Sequence, residues 1–331
     1  MRLITIDDYN EKTMQLARPV FDKQKRVLLA AGRTIHPTYL EKLKSMDIYY
    51  LFIEDAVSFG ISMDEVLDMP TWIDGIGLLQ QAFQSIDKKE EFPIREIGRL
   101  ANLIVEETAK RKAVVLIPTT YLAEELRLYA HSVNVALLTI QLAKKKNYTP
   151  TQLRDLAVGA LLHDIGKQLT HDYEQHPVAG FEFLRKIREV SLLSAHMSYQ
   201  HHEAFNGSGF PRGLKEEQVH EFAQICAIAN GYENALSQKN MAPHEAIEWI
   251  MTKNGTEFSM DLLTLFVQEV PMYTPGSKVL LNNGRLAIVT KVAASLQRPY
   301  VRYLDDNKEI SLAENHTLLI VEVLKNEGSA Q

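Results

Sequence analysis

An adjacent histidine and aspartate, closing an apolar helical stretch, are the first residues in this chain with chemistry to offer. The stretch is Leu161-Leu162-His163-Asp164-Ile165-Gly166-Lys167, with Leu156, Ala157 and Ala160 at helical spacing before it. Burying a neutral imidazole beside a carboxylate is costly unless a cation or a hydrogen-bond network compensates. Further candidate ligands flank it: His131 before, then His176, His201, His202 and Asn230 after. A single histidine is more often a satisfied polar residue than a ligand, but this joint placement points to a metal site. A carboxylate such as Asp164 can bridge two cations. His201 and His202, about 100° apart on a helix, can bind one ion or serve different parts of one cluster. Only imidazole and oxygen ligands are on offer, which suits Fe, Mn, Zn, Co or Ni rather than an Fe–S cluster. Two such ions would activate a water and neutralise a phosphate in the transition state.

These residues must be held by helices. Helical periodicity covers 122–146, 151–162, 176–187, 191–202, 216–236 and 243–251. Thr149-Pro150-Thr151 is a helix start, with Thr149 as cap. His131 therefore lies within one helix, His163-Asp164 and His201-His202 end two others, and His176 begins a fourth. Helix-borne ligands converging in a bundle core are a common way to hold two metals. The loop 206–213, Asn-Gly-Ser-Gly-Phe-Pro-Arg-Gly, is too rich in Gly and Pro for helix.

Around this helical region the character changes. Residues 1–55 read as a small α/β module, with a strand between the turns at 24–33, a helix over 36–46 and a strand over 48–53. Residues 56–75 read as a connector, and 76–112 as two helical pieces broken near Phe92-Pro93. Short β-prone runs at 278–281, 285–292, 300–303, 309–311 and 317–323 form a β appendage, and 326–331 reads as a disordered tail. The expected division is 1–75, 76–114, 115–268 and 269–331.

With 331 residues, 46% hydrophobic and 24% charged, the composition is that of a soluble globular protein. A net charge of −6 gives no reason to expect duplex nucleic acid as partner. No apolar run reaches the roughly 18–20 residues of a membrane span, and the N-terminus lacks a signal-peptide core. A single cysteine, Cys226, excludes an intrachain disulfide framework and a multi-thiolate zinc site. A cytoplasmic protein is the expectation. Lys144-Lys145-Lys146 reads as a solvated helix end, and Trp72, Trp249 and Cys226 as packing residues.

The order His131-Ser132, His163-Asp164-Ile165-Gly166-Lys167, His176-Pro177-x-x-Gly180, His201-His202-Glu203 and Gly209-Phe210-Pro211 resembles the HD-GYP family. That family is a branch of the HD phosphohydrolases acting on cyclic di-GMP, and the resemblance covers about 115–268. It implies a mainly α fold, an HD-type helical bundle, here with an N-terminal α/β module and a C-terminal β appendage. It implies His163, Asp164, His176, His201 and His202 as metal ligands, Asp164 as the bridge, and His131 as ligand or near neighbour. Two divalent ions are implied, Fe or Mn first, with Zn, Co or Ni as alternatives. Asp164 and Lys167 would be catalytic, Lys167 placing a charge on the scissile phosphate. Gly209, Phe210 and Arg212 would border the substrate groove.

Four positions depart from the family pattern. Phe210 stands where the name-giving tyrosine would be and lacks its hydroxyl. Asn230 stands where an aspartate ligand is usual, leaving the cluster one negative charge poorer. Arg127 stands where some members carry a glutamate for a third metal, which argues for two ions. Ser237-Gln238-Lys239-Asn240-Met241 replaces an arginine-rich stretch, leaving Lys239 as a phosphate contact without bidentate geometry. Three readings follow: a cyclic di-GMP phosphodiesterase, a module that binds metal and cyclic di-GMP or a partner with little turnover, and an HD-type hydrolase for another nucleotide. A diguanylate cyclase domain or other signalling protein is a candidate partner, and the linker helices leave a homodimer open.

Overall fold

A computed structural model describes residues 1–292 and 295–324; the tail expected at 326–331 lies outside the described residues. The chain divides into two compact units. One combines Met1–Asp64, Ile117–Arg127 and the chain from Pro271 onward; the other is Glu65–Leu116 with Leu128–Val270.

The N-terminal part of the first unit holds β1 (Arg2–Thr5), β2 (Gln15–Leu16), β3 (Val20–Phe21), β4 (Val27–Leu29), α1 (Pro37–Lys44) and β5 (Tyr50–Glu54). Strands β1, β5 and β2 form an antiparallel sheet in that order, and β3 and β4 a hairpin. The His36 ring caps α1 by accepting from Thr38 N, and Pro37 supplies the fixed φ of a first helical turn. Ile4, Leu16, Leu43, Leu51 and Ile53 close the core. Here α1, β4 and β5 follow the expected pattern. Strands β1–β3 were not read from the sequence; β2 and β3, at two residues each, are too short to show alternation.

The helical unit comprises α2 (Met69–Lys88), α3 (Ile94–Ala109), part of α4 (Glu124–Ala143), α5 (Pro150–Leu162), α6 (His176–Leu184), α7 (Leu192–Gln200), α8 (Glu221–Ser237), α9 (Pro243–Met251) and α10 (Met260–Glu269). Helix α2 begins inside the expected connector, since the Asp68 carboxylate caps it at Thr71 N. The Thr149 cap of α5 is a capping box closed by Gln152. The single helix expected over 216–236 is interrupted. The His220 ring accepts from Phe222 N and starts α8 at Glu221, leaving 216–218 as a separate 3-10 turn. Helix α10 is capped by Ser259 and buries Leu262, Leu263 and Phe266.

The solvated reading of Lys144-Lys145-Lys146 is corrected at Lys144. Lys144 Nζ donates to the carbonyls of Thr108 (2.9 Å) and Arg111 (2.6 Å), at and just beyond the end of α3. Lys145 pairs with Glu269 and Lys146 with Glu221. Trp72 and Cys226 are buried as expected. No helix among the described residues is long and apolar enough to cross a membrane.

The first unit is completed by β6 (Lys278–Leu281), β7 (Leu286–Lys291), β8 (Tyr300–Tyr303), β9 (Glu309–Ser311) and β10 (Ile320–Val323). They form one antiparallel sheet in the order β10-β6-β7-β8-β9. Alternation along them buries Val279, Leu281, Ala287, Val289, Val301 and Tyr303.

Candidate metal centre

His163 closes α5, and Asp164 starts the 3-10 turn Ile165–Gln168 that follows. This turn packs against the start of α6 through two glycines. A Cβ on Gly166 would lie 1.9 Å from His176 O, and one on Gly180 would lie 2.3 Å from Ser198 Oγ. Ser198 in α7 donates to His163 O at 2.8 Å. The small residues thus let α5, α6 and α7 approach until their ligand-bearing ends meet.

The geometry is that of two ligand groups sharing one carboxylate. Donor atoms of Asp164, His176, His201 and His202 all lie within 4.8 Å of one another, and so do those of His131, His163 and Asp164. His176 Nε2 and His201 Nε2 are 3.3 and 3.5 Å from Asp164 Oδ1, while His163 Nε2 is 3.5 Å from Oδ2. His131 Nε2 is 3.3 Å from His163 Nε2. The outward nitrogens are tied to the backbone. His163 Nδ1 meets Ala160 O at 2.7 Å, His176 Nδ1 meets Tyr173 O at 2.5 Å, and His201 Nδ1 meets Ser198 O at 2.8 Å. A carbonyl can only accept, so Nδ1 carries the proton and each Nε2 lone pair faces the cluster.

Electrostatics keep the set ready for a cation. Burial holds His163, His201 and His202 below the ordinary imidazole range and so neutral. Burial opposes ionisation of Asp164, yet His163, the Lys167 ammonium and the other imidazoles hold its carboxyl well below the usual carboxylate range. Asp164 Oδ1 and His202 Nε2 are buried without a hydrogen-bond partner. Lone pairs facing one another, with a buried anion among them, are what a divalent ion would satisfy, so the residues fit one.

The loop expected to border the site packs on it. The Phe210 ring stacks on His202 with centroids 4.7 Å apart and planes 14° from parallel, and Tyr173 lies 5.6 Å from Phe210. A Cβ on Gly209 would stand 2.4 Å from His202 O, so only glycine lets the loop come this close. Glu203 holds the loop from below, its carboxylate accepting from Arg212 N and Leu214 N at 2.9 Å each. Lys167 sits at the centre, on Asp164. Arg212 has an exposed side chain, and Lys239 lies 3.7 Å over the Trp249 ring. Asn230 is buried in α8, with Oδ1 accepting from Asn234 Nδ2 at 2.9 Å.

Comparison with known proteins decides the family of this segment. The model of the HD domain matches residues 128–235. Those residues form an HD domain. The likeness to the HD-GYP family holds with it. A cyclic di-GMP phosphodiesterase of Pseudomonas aeruginosa is 32% identical over 195 residues, covering 53% of this chain and 47% of that protein. A cyclic di-GMP phosphodiesterase of Thermotoga maritima is 27% identical over 44% of this chain and 45% of its own. The chain therefore spans about half the length of the curated relatives it matches. An HDG“Y”P protein from Bdellovibrio bacteriovorus shares the fold, with a TM-score of 0.52 over 80% of this chain and 97% of its own, at 15% identity.

Around the HD domain's histidines stand groups to which the sequence reading gave no role. Glu233, buried in α8, reaches His131 Nδ1. Burial works against protonation of His131, but this carboxylate outweighs it and raises the imidazole above its ordinary value. Tyr173 and Glu203 are the others. For Glu233 there was a signal: a carboxylate one helical turn after Asn230, on a stretch otherwise rich in Ala and Ile, faces the core and needs a partner.

Proposed function

We propose that this chain is a metal-dependent phosphodiesterase hydrolysing cyclic di-GMP, with Asp164 shared by two divalent transition-metal ions. The observation that carries the reading is the shared carboxylate between two imidazole groups, all buried but the half-buried His202. His176, His201 and His202 would hold one ion, His131 and His163 the other, with Asn230 as a further oxygen ligand. Bound there, such ions supply Lewis acidity that activates water and offsets phosphate charge. Fe or Mn ranks first, ahead of Zn, Co and Ni.

The remaining tasks fall to the chain's own groups. The backbone carbonyls behind His163, His176 and His201 fix which nitrogen faces inward. Lys167, a third exposed, is the ammonium positioned to meet a phosphate oxygen. The Phe210 and Tyr173 rings offer faces on which a nucleobase can stack. Gly209 brings the loop backbone close, and Arg212 and Lys239 are cations for the distal phosphate. The named activities of the two relatives and the matching motif positions support cyclic di-GMP as substrate.

The test is anaerobic turnover of cyclic di-GMP by protein loaded with Fe(II) or Mn(II), resolved by chromatography, with Asp164→Ala as control. Turnover that disappears in the control supports the reading. Absence of turnover at two ions per chain would replace it with a second one, a module that binds cyclic di-GMP or a signalling partner such as a diguanylate cyclase domain. Two contacts favour that alternative: Lys239 is held over Trp249, and Asn230 is bonded to Asn234.

A further inference from the structure

A line of buried polar groups runs from α2 to the metal centre. Trp72, 1% exposed, donates its Nε1–H to Asn134 Oδ1 at 3.1 Å. Asn134 Nδ2 reaches Glu233 Oε1 at a long 3.5 Å, and Ser237 Oγ donates to Glu233 Oε2 at 3.0 Å. Glu233 meets His131 Nδ1, and His131 turns Nε2 toward His163 and Asp164. Trp72, Asn134, Glu233 and His131 are all buried.

The polarity of the line is set at its far end. An indole N–H can only donate, so it selects the carbonyl end of the Asn134 amide. The amide N–H then points at Glu233, where a flipped amide would oppose oxygen to carboxylate. An ionised Glu233 can only accept, which requires the proton on His131 Nδ1 and leaves Nε2 as the free lone pair. The other three inward-facing histidines tied at Nδ1 rely on neutral carbonyls, so His131 alone among them is tied to a charge. Trp72 lies outside residues 128–235, so the arrangement reaches beyond the matched HD domain.

We propose that Trp72, Asn134 and Glu233 are positioning residues that fix the tautomer and orientation of His131 and thereby set the affinity of the ion held by His131, His163 and Asp164. The proposal rests on the metal-centre part of the proposed function and is independent of the substrate. It makes occupancy of one metal position sensitive to α2, because anything that moves Trp72 alters the donor that orients Asn134.

The test titrates the metal-free full chain with Zn(II) by calorimetry and records ring-nitrogen NMR of the zinc-loaded protein. His131→Ala identifies which binding event belongs to this position. Glu233→Gln is expected to weaken that event by about 10- to 100-fold, and Trp72→Phe by about three- to tenfold, with the other event unchanged. In both variants the His131 Nδ1 signal moves. The double variant is expected to bind no more weakly than Glu233→Gln alone, since both act through one line. Unchanged affinity in Glu233→Gln, additive losses in the double variant, or equal weakening of both events in Trp72→Phe would overturn the proposal. A wild-type chain that lacks the His131-dependent event would overturn the two-ion reading and this inference together.

Discussion

Lys167 Nζ lies 2.5 Å from Asp164 Oδ2, across the turn that follows α5. The ammonium is thus the charge partner of the carboxylate shared by both ligand groups. Metal binding at Asp164 would compete with this contact, which would tie any role of Lys167 to the state of Asp164.

Lys167→Ala is expected to have opposite consequences in the two states. In the metal-free protein it leaves a buried carboxylate without its cation, lowering the midpoint of thermal unfolding. In the loaded protein the ions take over that charge, so unfolding changes little while hydrolysis falls by about 10²–10³. Melting curves with and without Mn(II), beside turnover rates, separate the two. Equal destabilisation in both states would make Lys167 a structural residue.

Gly166→Ala tests the close packing that assembles the site. Its Cβ would lie 1.9 Å from His176 O and 2.8 Å from Gly180 N, both backbone atoms with little room to give. The start of α6 must move away, and His176 with it. The expected cost is about 1–3 kcal/mol of stability, with loss of metal at the position served by His176, His201 and His202. Urea unfolding and metal content by mass spectrometry measure the two effects.

The N-terminal unit has an acid-sensitive lock of its own. Asp55 accepts from Arg2 Nε (3.0 Å) and Nη2 (2.9 Å) and from Ser58 N and Oγ, at side-chain exposures of 6% for Arg2 and 9% for Asp55. Burial opposes ionisation, but Arg2 and Ser58 prevail and depress the carboxyl below its usual range. A depressed folded value contributes stability above the unfolded value, and this is lost as pH falls through the folded one. Asp55→Asn is therefore expected to cost about 3–5 kcal/mol at pH 7. The gap from wild type should close as pH drops below about 4. Parallel pH profiles for the two proteins would contradict it.

How far the sequence could be read follows from the scale of each signal. The clustered residues His131, His163, Asp164, His176, His201 and His202 were legible as candidates because the helices that carry them show a period, with all but His131 at or just beyond helix ends. Strands β2 and β3, at two residues each, were too short for any period. The break before α8 was hidden because the turn at 216–218 continues the helical pattern, and only the His220 cap reveals it. Lys144 reads as solvated because nothing local announces that carbonyls at the end of α3 and just beyond it come to meet it. Glu233 illustrates the same limit at the site: its partner His131 is 102 residues away, a distance only folding closes.

Asn230→Asp examines the departure most relevant to metal binding. Asn230 is 6% exposed, and Oδ1 accepts from Asn234 Nδ2 at 2.9 Å, a bond that an aspartate of the same shape would keep. The substitution adds a negative charge to α8, which already carries the buried Glu233. Without metal, that charge is buried and faces like charge, so the variant is expected to melt below wild type. With metal, a carboxylate replaces a neutral amide as ligand, and affinity is expected to rise about tenfold, the equivalent of ~1.4 kcal/mol. The order of melting temperatures should therefore invert when Mn(II) is added. A variant that melts lower in both conditions and binds metal with unchanged affinity would place Asn230 outside the ligand set.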